Sequence, residues 1–144
     1  MNTLSLTSVS KLLPIQSGDN LRYDSENKLY HTAGWTSASG ITYHQGFRIS
    51  SILVIEMRIG KGYYRTFITG LYIYIFNAYS LELIDSKNYD CHSFSNRFID
   101  SECKKMIAGY VSSQKRLLGG HISESEIKRV SSAMVDETYG KLLN

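Results

Sequence analysis

Two histidines on either side of the single tryptophan are the first residues with catalytic potential. His31 and His44 flank Trp35, and serine, threonine and tyrosine side chains lie between them. Histidine pairs serve as general acid and general base because the imidazole pKa lies near neutrality. This arrangement would suit a small hydrolase or nuclease. The alternative is that both are half-exposed histidines on strands and take no part in catalysis.

A set of cysteines and histidines further along the chain has the residue types of a zinc site. Its members are Cys91, His92, Cys103 and His121. Neighbouring residues on an extended segment point to opposite sides, so Cys91 and His92 are poorly placed to bind the same ion. We therefore predict no metal site and no cofactor. We also expect Cys91 and Cys103 to be reduced thiols rather than a disulfide.

Aromatic and cationic side chains concentrate in one stretch and form a candidate binding surface. Tyr64, Tyr72 and Tyr74 lie on a predicted strand, and Arg58 lies on the strand before it. Tyrosine is enriched in protein interfaces because it combines a large apolar area with a polar tip. The same side chains could stack on single-stranded bases. However, the alternating strands and helices of the RNA-recognition fold are not evident here.

The stretch 51–86 must position these residues, and it has the pattern of three consecutive antiparallel strands. Aliphatic residues alternate with Val54, Glu56 and Arg58, which is the period of a half-buried strand. The sequence Gly60-Lys61-Gly62 predicts a hairpin turn, and Gly70 predicts a bulge or bend in the second strand. Residues 77–80 predict the next turn.

Two loop lengths are compatible with the first hairpin. A two-residue loop would place Arg58 opposite Arg65, and like charges in that position destabilise a strand pair. A three-residue loop places Arg58 opposite Tyr64, so we expect this register. In it, one face carries the aliphatic row and the other carries Arg58 with the tyrosines.

The hydrophobic period changes to that of helices after the predicted sheet. Apolar residues between 98 and 111 recur every three or four positions, and Gly119-Gly120 marks a stop. Ser123 and Glu126 form a capping-box pattern at the start of a second helix. Residues 20–32 read as a polar hairpin, and 41–48 as a further strand. The sequence therefore predicts an α+β fold. It comprises an antiparallel sheet, with a central meander at about 51–86 and N-terminal hairpin strands, and two C-terminal α-helices packed on one face.

Length and charge exclude several classes of protein. The 144 residues are most simply one domain, 1–144, with a net charge of +3 that is too weak to predict nucleic-acid binding by itself. No apolar run approaches the roughly 20 residues of a membrane span. Residues 1–16 lack the basic start and continuous apolar middle of a signal peptide. We therefore expect a cytoplasmic protein. The alternative is the mature part of an exported one.

These observations favour a non-enzymatic domain that binds another protein, or a second copy of itself, through a tyrosine-rich sheet face. Tyr64, Tyr72 and Tyr74 are expected to be partly exposed there, beside Arg58. A hydrolase or nuclease using His31 and His44 is the alternative, and a nucleic-acid-binding module is a further one.

Overall fold

A computed structural model describes the backbone of residues 22–24, 29–31, 37–45, 47, 50–61, 66–90 and 96–143. It describes the side chains of residues 40–45, 47, 50–58, 70–89 and 101–140. Within these ranges the chain forms an antiparallel sheet followed by two long helices, which confirms the predicted α+β class.

The sheet is a six-stranded meander in which each strand pairs with the next one along the chain. Two three-residue strands form one edge, and four long strands form the centre and the other edge. The strands are β1 (Arg22–Asp24), β2 (Leu29–His31), β3 (Ser37–His44), β4 (Ser51–Lys61), β5 (Thr66–Asn77) and β6 (Leu83–Asp90). The predicted hairpin strands and central meander are both present, although β6 continues past the predicted end at residue 86.

The hairpin between β4 and β5 differs from the predicted one. Lys61 pairs with Thr66, which leaves residues 62–65 as the connection, and Arg58 pairs with Gly70 instead of Tyr64. The prediction of a three-residue loop was therefore wrong. The observed register is set further along the strands, where it places three pairs of apolar side chains opposite each other on one face. These pairs are Leu53 with Ile75, Ile55 with Ile73, and Met57 with Leu71.

The bulge predicted near Gly70 is present. The register shifts between Arg58 and Ile59 because Arg58 pairs with Gly70 whereas Ile59 pairs with Ile68, which leaves Thr69 as the extra residue. Such a bulge bends the strand and increases its local twist. The β4–β5 ribbon is therefore long but not straight.

Two helices follow the sheet, with a short 3-10 turn between them. They are α1 (Asn96–Ser113) and α2 (Glu124–Leu143), and the 3-10 turn spans Lys115–Leu118. Gly119 and Gly120 have φ values of 123° and 82°, which glycine adopts readily and other residues rarely do. The hydroxyl of Ser123 accepts a hydrogen bond from the Glu126 N–H at 3.2 Å and caps α2, as the sequence predicted.

Both helices pack on one face of the sheet, as predicted. The buried cluster joins alternate residues of β4 and β5 to the apolar stripes of α1 and α2. Its helical members include Ile107, Val130 and Met134, and Met106 packs against it while partly buried. Neither α1 nor α2, within the described residues, contains a segment long and apolar enough to cross a bilayer.

The second helix also covers β3, and hydroxyl groups make part of that contact. Thr42 and Thr138 are both buried and share a hydrogen bond between their hydroxyls. The Thr138 hydroxyl also bonds the Met134 carbonyl of its own helix at 2.8 Å. Burying these hydroxyls is tolerated because each one is hydrogen-bonded. The pair fixes where α2 sits along β3.

Candidate functional site

The sheet face opposite the helices, called the second face below, carries three of the four predicted binding residues. Tyr64 lies outside the described residues. Tyr74 is only 5% exposed, so the prediction that it would be partly exposed was wrong. Its ring stacks on Phe76, with 5.9 Å between centroids, within a second buried cluster. The cluster consists of Ile41, Ile52, Val54, Tyr74 and Phe76.

Burial also changes the chemistry of Tyr74. It raises the pKa of the phenol, and the nearby Glu56 carboxylate raises that pKa further. Tyr74 therefore stays protonated at physiological pH and behaves as a core aromatic residue. Its environment explains the error in the prediction, since a pattern of tyrosines on a strand does not reveal what covers that face.

Arg58 and Tyr72 are partly buried and bound to neighbours within the sheet. The Arg58 Nε atom donates to Glu56 Oε2 at 3.1 Å, and the guanidinium carbon lies 5.0 Å from the centre of the Tyr72 ring. The same ring covers Gly70, where a Cβ atom would come within 2.8 Å of it. Glycine at this bulge thus allows the close approach. The positive charge of Arg58 is committed to contacts inside the chain.

The two candidate catalytic histidines lie far apart on the sheet. His31 pairs with Ala38, which is six positions before His44 on β3. At about 3.3 Å per residue, that places the two backbones about 20 Å apart along the strand direction. An acid–base pair needs both groups within hydrogen-bond reach of one substrate, about 3 Å. The structure does not bring His31 and His44 together in this way.

His44 itself is partly buried against an aromatic neighbour. Its ring packs edge-on against the Phe47 ring, with 4.6 Å between the ring centroids. Its Nε2 atom is buried with no hydrogen-bond partner in the described part of the chain. Burial lowers the pKa of His44, the Arg129 charge lowers it further, and Glu126 opposes that effect. The neutral imidazole is therefore the favoured form in the folded chain.

We expect the stability of the protein to fall as the pH drops from about 7 to 5, with His44 as one contributor. In the unfolded chain the imidazole takes up a proton near the ordinary histidine pKa of about 6.5, whereas the folded chain resists protonation because the pKa of His44 is lowered. Urea unfolding across this pH range should show that the free energy of unfolding depends less steeply on pH for His44→Gln than for the native chain. His121→Gln changes an exposed histidine and is the control. Equal slopes for the native chain and His44→Gln would contradict the prediction.

The residues of the hypothetical zinc site occupy different environments where they are described. Cys103 is buried in the cluster beneath the sheet, and the expected absence of a Cys91–Cys103 disulfide stays a prediction. His121 is exposed in the connection between the helices. Cys91 and His92 lie outside the described residues.

The most exposed apolar side chains lie beside and on the last strand of the sheet. Among the described residues, the most exposed large apolar residues are Tyr79, Leu83 and Ile84, with 64%, 53% and 41% of their surface accessible to solvent. The turn before β6 is well defined, since the Asn77 side chain accepts hydrogen bonds from the N–H groups of Tyr79 and Ser80 at 2.8 and 2.9 Å. These apolar groups are therefore presented by ordered backbone.

Strand β6 is also an edge strand. It pairs with β5 on one side, and no strand in the described ranges pairs with its other side, which we call the β6 edge. Residues 82–84 and 86–88 are exposed. A strand edge presents N–H and C=O groups that can bond a strand from another chain. The β6 edge thus combines exposed apolar groups with backbone groups that no described strand pairs.

A groove of about 390 Å³ lies between β6 and α1. Its lining consists of Asp85, Ser86, Lys87, Tyr89, Gly109, Tyr110, Ser113 and Gln114. The Tyr110 hydroxyl donates to Asp85 Oδ2 at 2.5 Å and ties the helix to the strand. Burial raises the pKa of Tyr110, and the hydrogen bond to Asp85 raises it further. The base of the groove is therefore fixed in position.

The β6 edge was not predicted from the sequence, because the predicted binding surface followed the concentration of aromatic residues. The available signal was the polar sequence of β6, in which Leu83 and Ile84 precede the polar residues Asp85, Ser86, Lys87 and Asn88. A strand buried on both faces would be almost continuously apolar. A polar strand after two apolar ones is typical of the border of a sheet.

Comparison of the chain with protein-family models, characterised proteins and solved structures finds no match to any of them.

Proposed function

We propose that this chain is a non-enzymatic domain that binds another protein through the β6 edge. The observation that carries the proposal is the clustering of Tyr79, Leu83 and Ile84 within six consecutive residues at an edge strand. Exposed apolar groups that cluster on a folded surface commonly mark interaction sites.

The backbone of β6 supplies the second part of such an interface. Proteins often bind an extended segment by adding it to a sheet edge, where main-chain hydrogen bonds give affinity and side chains give specificity. The Asp85 and Lys87 side chains stand on the same strand and offer charges of opposite sign. A partner strand that carries the opposite charges at the facing positions would dock in one register.

The geometry of the other candidates supports this choice. The distance of about 20 Å along the strand direction between His31 on β2 and His44 on β3 does not favour hydrolysis. The contact of Arg58 with Glu56 leaves its charge poorly placed for phosphate groups. Among the four predicted binding residues, Tyr72 and Arg58 retain partial exposure in the described structure, and they remain candidates for contacts at the margin of an interface.

A charge placed in the apolar cluster tests the proposal. The tagged chain is used to capture proteins from an extract of cells that produce it, and the same is done with Ile84→Lys and Ala133→Lys. Ala133 is exposed on α2, away from the β6 edge, and serves as the matched control. We expect a protein that is retained by the native chain and by Ala133→Lys to be lost with Ile84→Lys. Identical retention by all three chains would overturn the proposal.

A further inference from the structure

We propose that the partner at the β6 edge is a second copy of this chain, paired antiparallel through β6 about a two-fold axis at Ser86. This inference rests on the proposed function, and it names the partner for the same edge. The symmetry of strand pairing and the charges on β6 both favour such a pair.

Symmetry limits the registers that two identical strands can adopt. In an antiparallel pair, hydrogen-bonded and non-hydrogen-bonded residue pairs alternate along the ladder. A two-fold axis perpendicular to the sheet exchanges the two strands, and it must carry hydrogen-bonded pairs onto hydrogen-bonded pairs and the other pairs onto each other. The axis therefore passes midway between one residue and the same residue of the other copy. The central registers of β6 therefore place Asp85, Ser86 or Lys87 opposite itself.

Charge selects one of these three registers. Axes at Asp85 or at Lys87 would each set two like charges directly opposite, which is destabilising. The axis at Ser86 places Asp85 of each copy opposite Lys87 of the other. One chain thus provides both members of two reciprocal ion pairs, which is the self-complementarity that a two-fold interface requires.

A bulge in β6 limits how far this regular pairing extends. Asp85 pairs with Ile75 whereas Leu83 pairs with Phe76, so Leu83 lies on the second face, while Tyr89 pairs with Leu71 on the helix-covered face. The regular pairing about Ser86 therefore centres on Asp85–Lys87 of each copy, and the exposed Leu83 flanks it. The two sheets would join into one, and α1 of both copies would lie on the same side of it.

The helix surface above the groove gives independent support. Gly109 is exposed on α1 and lines the groove beside β6, and a Cβ atom there would meet nothing within 4 Å. Packing inside the chain therefore does not require glycine, although glycine weakens a helix relative to alanine. A surface that a second copy approaches closely would account for it.

Cysteine substitution on β6 tests the register. In a Cys91→Ser background, Ser86→Cys puts two thiols opposite each other, with Cα atoms about 4.5–5.5 Å apart, which suits a disulfide. Asn88→Cys is the matched control, because its two thiols would be about 13 Å apart along the strands, four residues at about 3.3 Å each. We expect Ser86→Cys to form covalent dimers under mild oxidation and Asn88→Cys to remain largely monomeric. Equal cross-linking of the two variants would overturn the register.

Sedimentation of the purified chain tests the association itself. The native chain should approach twice its mass of 16.3 kDa as its concentration rises. Lys87→Glu places two carboxylates opposite each other at both ion pairs and should weaken association by about tenfold or more. Lys128→Glu makes the same charge change on the exposed face of α2 and should leave it unchanged.

The outcomes separate this inference from the function on which it rests. A native chain that sediments as a monomer at every concentration would overturn self-association. If such a chain still captured a different protein that Ile84→Lys loses, the proposed function would stand and only the second copy would be excluded. If the native chain is a monomer and Ile84→Lys retains the same proteins as the native chain, both self-association and the proposed function are overturned.

Discussion

Replacing Ile55 with alanine is expected to lower the free energy of unfolding by about 2–5 kcal/mol. Ile55 is fully buried at the centre of β4, where it pairs with Thr42 on one side and Ile73 on the other. It belongs to the cluster that joins the sheet to both helices, so truncation would leave a cavity between the layers. Urea unfolding of the native and variant chains measures the difference.

Ile84→Ala is the control for this experiment, because it removes the same atoms from a side chain that is 41% exposed. In dilute solution we expect its effect to stay within about 0.5 kcal/mol, as for most surface substitutions. A small loss at Ile55, comparable to that at Ile84, would contradict the packing described for the helix-covered face.

Replacing Arg58 with methionine is expected to cost about 3–5 kcal/mol, the range for breaking a buried ion pair by removal of one partner. The Glu56 side chain is 4% exposed and that of Arg58 is 13% exposed. Without the guanidinium, the buried Glu56 carboxylate would lose the positive charge that Arg58 places beside it. Thermal or urea unfolding would record the loss.

A second substitution distinguishes this electrostatic cause from lost packing. Glu56→Gln combined with Arg58→Met removes both charges, and we expect the double variant to be more stable than Arg58→Met alone. Arg116→Met, at an exposed arginine after α1, is the control for the chemical change. If Arg58→Met left stability unchanged and instead lowered partner binding, Arg58 would be a binding residue, as the sequence first suggested.

The sequence was sufficient to predict the layers of this fold because both hydrophobic periods are strong. The alternation of side chains from Leu53 to Met57 identified the buried face of β4. Apolar residues that recur about every 3.6 positions identified the apolar stripes of α1 and α2. Local signals with a direct steric basis also succeeded, as at the Gly70 bulge and the Ser123 cap. Each of these features depends on neighbours in sequence.

The errors concern features that depend on distant residues. The β4–β5 loop follows from matching whole rows of side chains, which outweighed the turn preference of Gly60 and Gly62. Tyr74 was expected to be exposed, but its burial depends on what lies against the second face. The β6 edge could not be identified before the order of strands in the sheet was known. Burial and strand order are properties of the assembled chain.

The hydroxyl contact between Thr42 and Thr138 has a consequence for the order of folding. It joins residues separated by 96 positions, whereas each strand of the sheet pairs with its neighbour in sequence. Hairpins close short loops and can form early, while contacts across large sequence separations form more slowly. During synthesis, β3 and β4 would leave the ribosome well before α2 does. Their aliphatic side chains would then remain open to chaperones, or to aggregation, until α2 docks.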